Sequence, residues 1–454
     1  MDSTRIIGPQ SWGGVGEATQ MTPAPGYPAP GGFDPARTAM AGSPNALALE
    51  MIPGNQFAHA TRNSVEHAIL QVDASGAGFG RRLPLNLCLV IDRSGSMEGE
   101  PLEYVKRACG HVVDLLDPND ILSVVTFEER VDIVMPARRV VNKALIKEHI
   151  NRIQPGNTTN IYDGIVAGAS QVASVRSEGY VNRVVVLTDG EPTSGVKDYT
   201  SIVGCAAEQR SRGITTTALG FGSDYNEELL AGLAKRGGGN YYYIARPELI
   251  PEVFRSELEQ LLTIVAKNIR LRMILGKWVE VRQVYGQQPI LGPRTVEVQL
   301  PDLERGVSLR TLVEMSLGRR PAATYRVARV ELTYDDCVTG AFNQRLEGDL
   351  VFNFATDGSL VSSGVNGTVQ REIELAKASR NLERTMMGLK TQQLTAGAAM
   401  QDLQRTQMLL TQSGMQEQAA EVGQAIQGLR AGTGDVEKTL IGTMLDIDLG
   451  KRKG

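Results

Sequence analysis

The chain has 454 residues, with 47 lysines and arginines against 51 aspartates and glutamates, and a net charge of −4. Hydrophobic residues make up 42% and charged residues 22%, the balance of a folded protein of two to three domains at roughly 150 residues each. Near-neutral charge and 5% aromatic content argue against a nucleic-acid binder held by phosphate contacts or base stacking.

Residues 1–55 are rich in Gly, Pro, Ala and Ser, as in PAPGYPAPGGFDPA, and read as a disordered or loosely docked arm. The first residues, MDSTRIIGPQSWGG, contain no apolar leader core, and no stretch of about 18 apolar residues follows anywhere. The expectation is a cytoplasmic protein with no membrane span. Cys88, Cys109, Cys205 and Cys337 are far apart and lie in apolar or helix-like stretches, so they read as buried reduced thiols rather than a zinc or disulfide framework.

From Phe57 to Val72 the pattern is strand-like, and SGAGFGRR breaks it. Between Leu83 and about Lys267, short apolar strands at Leu85–Ile91, Ile121–Phe127, Arg183–Leu187, Thr215–Leu219 and Tyr241–Ile244 alternate with helical segments. Strands apolar throughout belong in a mostly parallel sheet buried on both faces, which predicts a doubly wound α/β domain over 83–267. After Asn268 six short strands follow without long helices. Residues 268–360, together with 56–82, therefore predict a β-sandwich into which the α/β domain is inserted. Leu375, Ala378, Leu382, Met386 and Leu389 then step along a helix face, and breaks at TAGAA and QSGMQ predict a helical hairpin or small bundle over 366–431. Residues 432–454 carry LIGTMLDIDL and read as a docking tail or loosely attached helix.

The segment Asp92-Arg93-Ser94-Gly95-Ser96 closes the first apolar strand. That end of a doubly wound sheet carries the binding crevice. One carboxylate and two hydroxyls at alternating positions suit a hard cation, Mg2+ or Mn2+, better than zinc. Taken alone the same residues could cap the next helix. Two further loops favour the cation: GNTTNIYDG (156–164) sets threonines before a helix, and LTDGEPTSG (187–195) sets Asp189 just past another buried strand.

On these motifs the segment 83–267 resembles a von Willebrand factor A domain. The resemblance implies a metal-ion-dependent adhesion site made of Asp92, Ser94, Ser96, Thr159 and Asp189, holding Mg2+ (or Mn2+ or Ca2+). Thr159 is preferred to Thr158 because family members place the threonine directly before Asn and a hydrophobic residue, here Asn160-Ile161. The order of flanking strands and final helices is similar to bacterial relatives of inter-alpha-trypsin inhibitor heavy chains; a likeness to vesicle-coat shell proteins is architectural only. The implied function is non-enzymatic: the ion captures a Glu or Asp of a protein partner. Arg93, beside the site, reads either as a second anchor for an anionic partner or as a solvated loop charge.

Catalysis has little support, since His59, His67, His111 and His149 all lie outside the three loops. An alternative is an adaptor working beside an AAA+ ATPase. The chain has no GxxxxGK[ST], so that motor would be a separate protein. Thr4, three residues before Ile7, is similar to the phosphothreonine peptides read by forkhead-associated domains. Phosphorylation there would create a docking handle for such a partner, the plain reading being an unmodified terminus.

Overall fold

The computed structural model describes residues 46–74, 82–175, 179–222, 225–431 and 436–453. The Thr4 reading, and most of the arm, lie outside the described residues. The arm drawn to residue 55 is nevertheless too long. Strand β1 (Ala48–Pro53) turns Leu49 and Met51 inward in strict alternation, the pattern of a half-buried strand. Two further strands, β2 (Phe57–His59) and β3 (Ser64–Asp73), precede the α/β domain.

That domain runs β4 (Leu85–Asp92), α1 (Glu100–Leu115), β5 (Ile121–Phe127), β6 (Val131–Arg139), α2 (Lys143–Asn151), α3 (Ile161–Ala173), β7 (Val181–Thr188), α4 (Tyr199–Ser211), β8 (Thr215–Phe221), α5 (Glu227–Gly237), β9 (Gly238–Ile244) and α6 (Ile250–Leu262). Its six strands lie in the order β6-β5-β4-β7-β8-β9, parallel except for β6. All eight residues of β4 and all eight of β7 are buried, because helices cover both faces. Each Leu, Ile or Val sequestered there contributes about 1.5–3 kcal/mol. Edge strand β6 was not among the strands read from sequence: VDIVMPARR is largely exposed and carries Pro136, so it lacks an apolar run.

The chain re-enters the sandwich through Thr263 alone. Strand β10 (Ile264–Leu275) starts earlier than the boundary at 267, because Ile264 and Ala266 pair with the strand at Leu303–Glu304. The remaining strands are β11 (Val279–Val284), β12 (Ile290–Gly292), β13 (Thr295–Gln299), β14 (Leu303–Glu304), β15 (Val307–Leu317), β16 (Thr324–Asp336) and β17 (Gln344–Ala355). One sheet has the order β1-β3-β15-β11, and the other β12-β13-β10-β16-β17-β2, with β14 on β10. Met51, Leu70, Leu271, Met315, Val330 and Phe352 are among the residues packed between them. Against the α/β domain, Arg183 of β7 pairs with Asp302 at 3.2 Å, and Arg210 of α4 donates to the carbonyls of Gln299 and Leu300.

After the short α7 (Gly358–Ser363) come α8 (Gly367–Lys390), α9 (Ala396–Gln412), α10 (Gln416–Ala431), α11 (Val436–Leu449) and β18 (Lys451–Lys453). Val369 and Ile373 seat α8 on Ile69 and Leu312 of the sandwich. Residues 436–453 are firmly docked, so the loosely attached helix among the two readings does not hold. Helix α11 sends Leu440 and Ile447 into the helical core and Ile441 and Leu445 into the core of the α/β domain. Strand β18 then pairs with β15. Apolar residues on two sides of α11 need cover on two sides, which it finds between the two cores, while Asp446 and Asp448 accept from Gln418, Lys235 and Ser379.

Candidate metal centre

Strand β4 has β5 on one side and β7 on the other, so the chain order reverses there. Loops leaving β4 and β7 diverge and leave a crevice at their carboxyl ends. Asp92 ends β4 and is fully buried; Asp189 follows β7. Thr159 stands two residues before α3, whose first turn is capped by Asn160 accepting from the Asp163 amide.

Four of the five candidate residues are linked in a chain of short contacts. The Ser94 amide donates to Asp92 Oδ1 at 2.8 Å. The hydroxyls of Ser94 and Ser96 are 3.2 Å apart, and the Ser96 hydroxyl donates to Asp189 Oδ1 at 2.8 Å. The fifth, Thr159, lies with its hydroxyl against Gly190, 3.6 Å from where a Cβ would project. Thr158 is turned away from that contact, its hydroxyl 3.2 Å from that of Ser194.

Asp92 is held by neutral groups: it accepts from the Ser94 amide and from the Thr188 hydroxyl. Burial pushes its pKa up to about 6; those hydrogen bonds oppose the rise, and the nearby Asp189 charge adds to it. A wholly buried carboxylate facing neutral donors and a second carboxylate is an electrostatic setting that a bound cation relieves. The oxygen-only donor set, two carboxylates and three hydroxyls, fits Mg2+, Mn2+ or Ca2+ rather than a soft metal. No three His, Cys, Asp or Glu side chains converge on a metal-sized space among the described residues, so any cation here depends on hydroxyl ligands. The four cysteines are buried and free, as read.

Some contributors were not singled out in the sequence. Thr188, immediately before Asp189, was visible in the LTDG motif. Thr193 was not: its hydroxyl accepts from the Thr159 amide at 2.8 Å, and the amides of Thr193 and Ser194 donate to the Thr159 carbonyl. Only the fold brings residue 193 to residue 159. Arg93 also proves to be engaged within the chain. Its guanidinium reaches Asp132 Oδ2 at 2.7 Å and Glu128 Oε1 at 3.4 Å.

Sheet order, crevice and oxygen-lined loops together define a class, an α/β domain built to present a site at its switch point. The von Willebrand factor type A domain model matches residues 86–256, and the chain belongs to the family of proteins that carry this domain. It is 32% identical over 284 residues to the uncharacterized protein sll0103 of Synechocystis, spanning 60% of this chain and 67% of that one. It is 27% identical to human inter-alpha-trypsin inhibitor heavy chain H4, over 48% of this chain but only 26% of the relative. In fold it is similar to the von Willebrand factor type A protein from Catenulispora acidiphila. The TM-score is 0.70 at 18% identity, over 86% of this chain and 91% of that one. No helix among the described residues is long and apolar enough to cross a membrane.

Proposed function

We propose that this protein is a divalent-metal-dependent protein-binding module. Asp92, Ser94, Ser96, Thr159 and Asp189 would hold Mg2+, with Mn2+ or Ca2+ as substitutes, and a Glu or Asp of a partner would bind there. The observation that carries the reading is the run of contacts from Asp92 through Ser94 and Ser96 to Asp189, with the Thr159 hydroxyl beside Gly190. Family membership supports it, because such domains commonly mediate metal-dependent protein–protein contacts.

The ion would supply uncancelled positive charge for an incoming carboxylate, since hydroxyl ligands coordinate it without neutralising it. The chain's own part is preorganisation. Thr188 and the Ser94 amide fix Asp92, while Thr193 and Ser194 fix the backbone at Thr159. The seat is thus set before a partner arrives, which lowers the ordering cost of binding.

Calorimetric titration of Mg2+ and Mn2+ into wild-type and Asp92→Ala protein tests the reading, together with recovery of partners from native lysate in Mg2+ and in EDTA. The expected result is saturable metal binding lost in Asp92→Ala, and partners lost in EDTA. Equal metal affinity in the two proteins would sink the proposal. An AAA+ ATPase among the EDTA-sensitive partners would favour an adaptor role.

A further inference from the structure

Arg93 is the one residue of Asp92-Arg93-Ser94-Gly95-Ser96 whose side chain leaves the crevice floor. Its backbone joins two neighbouring segments: its amide donates to the Phe127 carbonyl at 3.1 Å, and its carbonyl accepts from the Gly156 amide. The Gly95 amide adds a bond to the Asn157 carbonyl at 3.3 Å. The side chain repeats these links. The guanidinium meets Glu128 and Asp132 beyond β5 and also reaches the Gln154 carbonyl at 3.5 Å. The other oxygen of Glu128 accepts from the Asn157 amide at 3.4 Å. Gly156 permits this closeness, since a Cβ there would lie 2.8 Å from Glu128 Cγ and 3.1 Å from Arg93 Nη1.

We infer that Arg93 is a positioning residue of the metal centre. Through Glu128 it braces the loop carrying Asp92, Ser94 and Ser96 against the loop carrying Thr159, and so sets the distance between the two groups of ligands. The inference rests on the metal-binding reading. Glu128 is the pivot, because its two oxygens face the two loops and Asn157 is two residues from Thr159. Only 16% of the Arg93 side chain is exposed, and two carboxylates of its own chain already engage it. Nη2 meets both carboxylates while Nη1 reaches the Gln154 carbonyl, a three-way fork that a single lysine ammonium does not reproduce.

The experiment is a titration with Mn2+ alone, by calorimetry and by the Mn2+ electron paramagnetic resonance line shape, on five proteins. These are wild type, Arg93→Ala, Arg93→Lys, Glu128→Gln and the Arg93→Ala/Glu128→Gln double variant. Arg93→Ala and Glu128→Gln should each weaken Mn2+ about tenfold, the typical effect of removing a group that orients metal ligands. The double variant should lose little beyond the worse single variant, because both changes break one brace. Arg93→Lys should recover part of the loss. Wild-type affinity in Arg93→Ala, or losses that multiply in the double variant, would overturn the brace. If Arg93→Ala does not fold, Glu128→Gln decides, since it preserves side-chain shape, and unchanged affinity there overturns the brace equally. A wild-type protein that binds no Mn2+ refutes the metal reading itself, and the brace with it. Full Mn2+ affinity in Arg93→Ala with loss of a partner would make Arg93 a partner anchor instead.

Discussion

Asp92 joins the sequence to the chemistry most directly. As the last residue of a strand with no exposed position, it is drawn into the sheet, and its carboxylate is buried with neutral partners. Burial raises its pKa to about 6 from an ordinary value near 3.8. A raised folded-state pKa favours the fold fully below pH 3.8, and that advantage is lost as pH rises through 6. At pH 8 the metal-free protein therefore carries an unrelieved charge. Asp92→Asn, which keeps the shape and removes the charge, should stabilise the metal-free protein at pH 8 by about 1–3 kcal/mol. It should also abolish any rise in melting temperature on adding Mg2+; thermal melts with and without the ion measure both effects. Thr188→Val should act in the opposite direction. Losing the hydroxyl that donates to Asp92 leaves a buried acceptor poorer by one donor, at a cost of about 1–3 kcal/mol by urea denaturation, with weaker metal binding.

Among the elements, α10 and α11 carry the clearest dependence on pH. Glu421 of α10 accepts from the Thr443 hydroxyl of α11 at 2.7 Å, and Asp446 of α11 and Glu417 of α10 lie close enough to repel it. Burial first, then the Asp446 charge, raises the Glu421 pKa to about 7; the Thr443 hydrogen bond opposes the rise. The contribution to stability is complete below the unfolded value of 4.5 and is lost as pH rises through 7. Glu421→Gln should therefore match wild type near pH 4.5 and exceed it at pH 8, by no more than about 3 kcal/mol. Urea midpoints at the two pH values decide the matter, and parallel pH profiles for the two proteins would count against the assignment.

Across the whole molecule, the last eighteen described residues join all three units. Helix α11 enters two cores, and β18 extends a third element, the five-stranded sheet. Arg452, just beyond α11, meets Glu372 of α8 at 2.7 Å, and Arg310 of β15 meets the same carboxylate at 2.9 Å. Burial alone would raise the pKa of Glu372; the two guanidiniums outweigh it and hold the carboxylate below its ordinary range. Wild type should accordingly unfold in a single calorimetric transition. Truncation after Arg430 should split it into at least two, because the α/β domain then loses Ile441 and Leu445 from its core and Glu372 loses one of its two cations. One unchanged transition in the truncated protein would show that α11 does not couple the units.

What could be read from the sequence is what short-range chemistry decides. The apolar strands of the α/β domain announced themselves because burial on both faces demands runs dominated by Leu, Ile and Val. Asp92, Ser94 and Ser96 were legible because one strand end and one tight loop hold them together. Thr159 and Asp189 were named through a family resemblance, since their place beside Asp92 depends on strand order. Edge strand β6, the start of the sandwich at β1, and the burial of α11 were not legible. Each depends on which surface covers the element, and a half-exposed strand or a helix apolar on two sides looks alike in sequence whatever covers it. The links through Thr193, Glu128 and Arg93 were hidden for a similar reason: polar side chains find partners tens of residues away, and only the folded chain sets those distances.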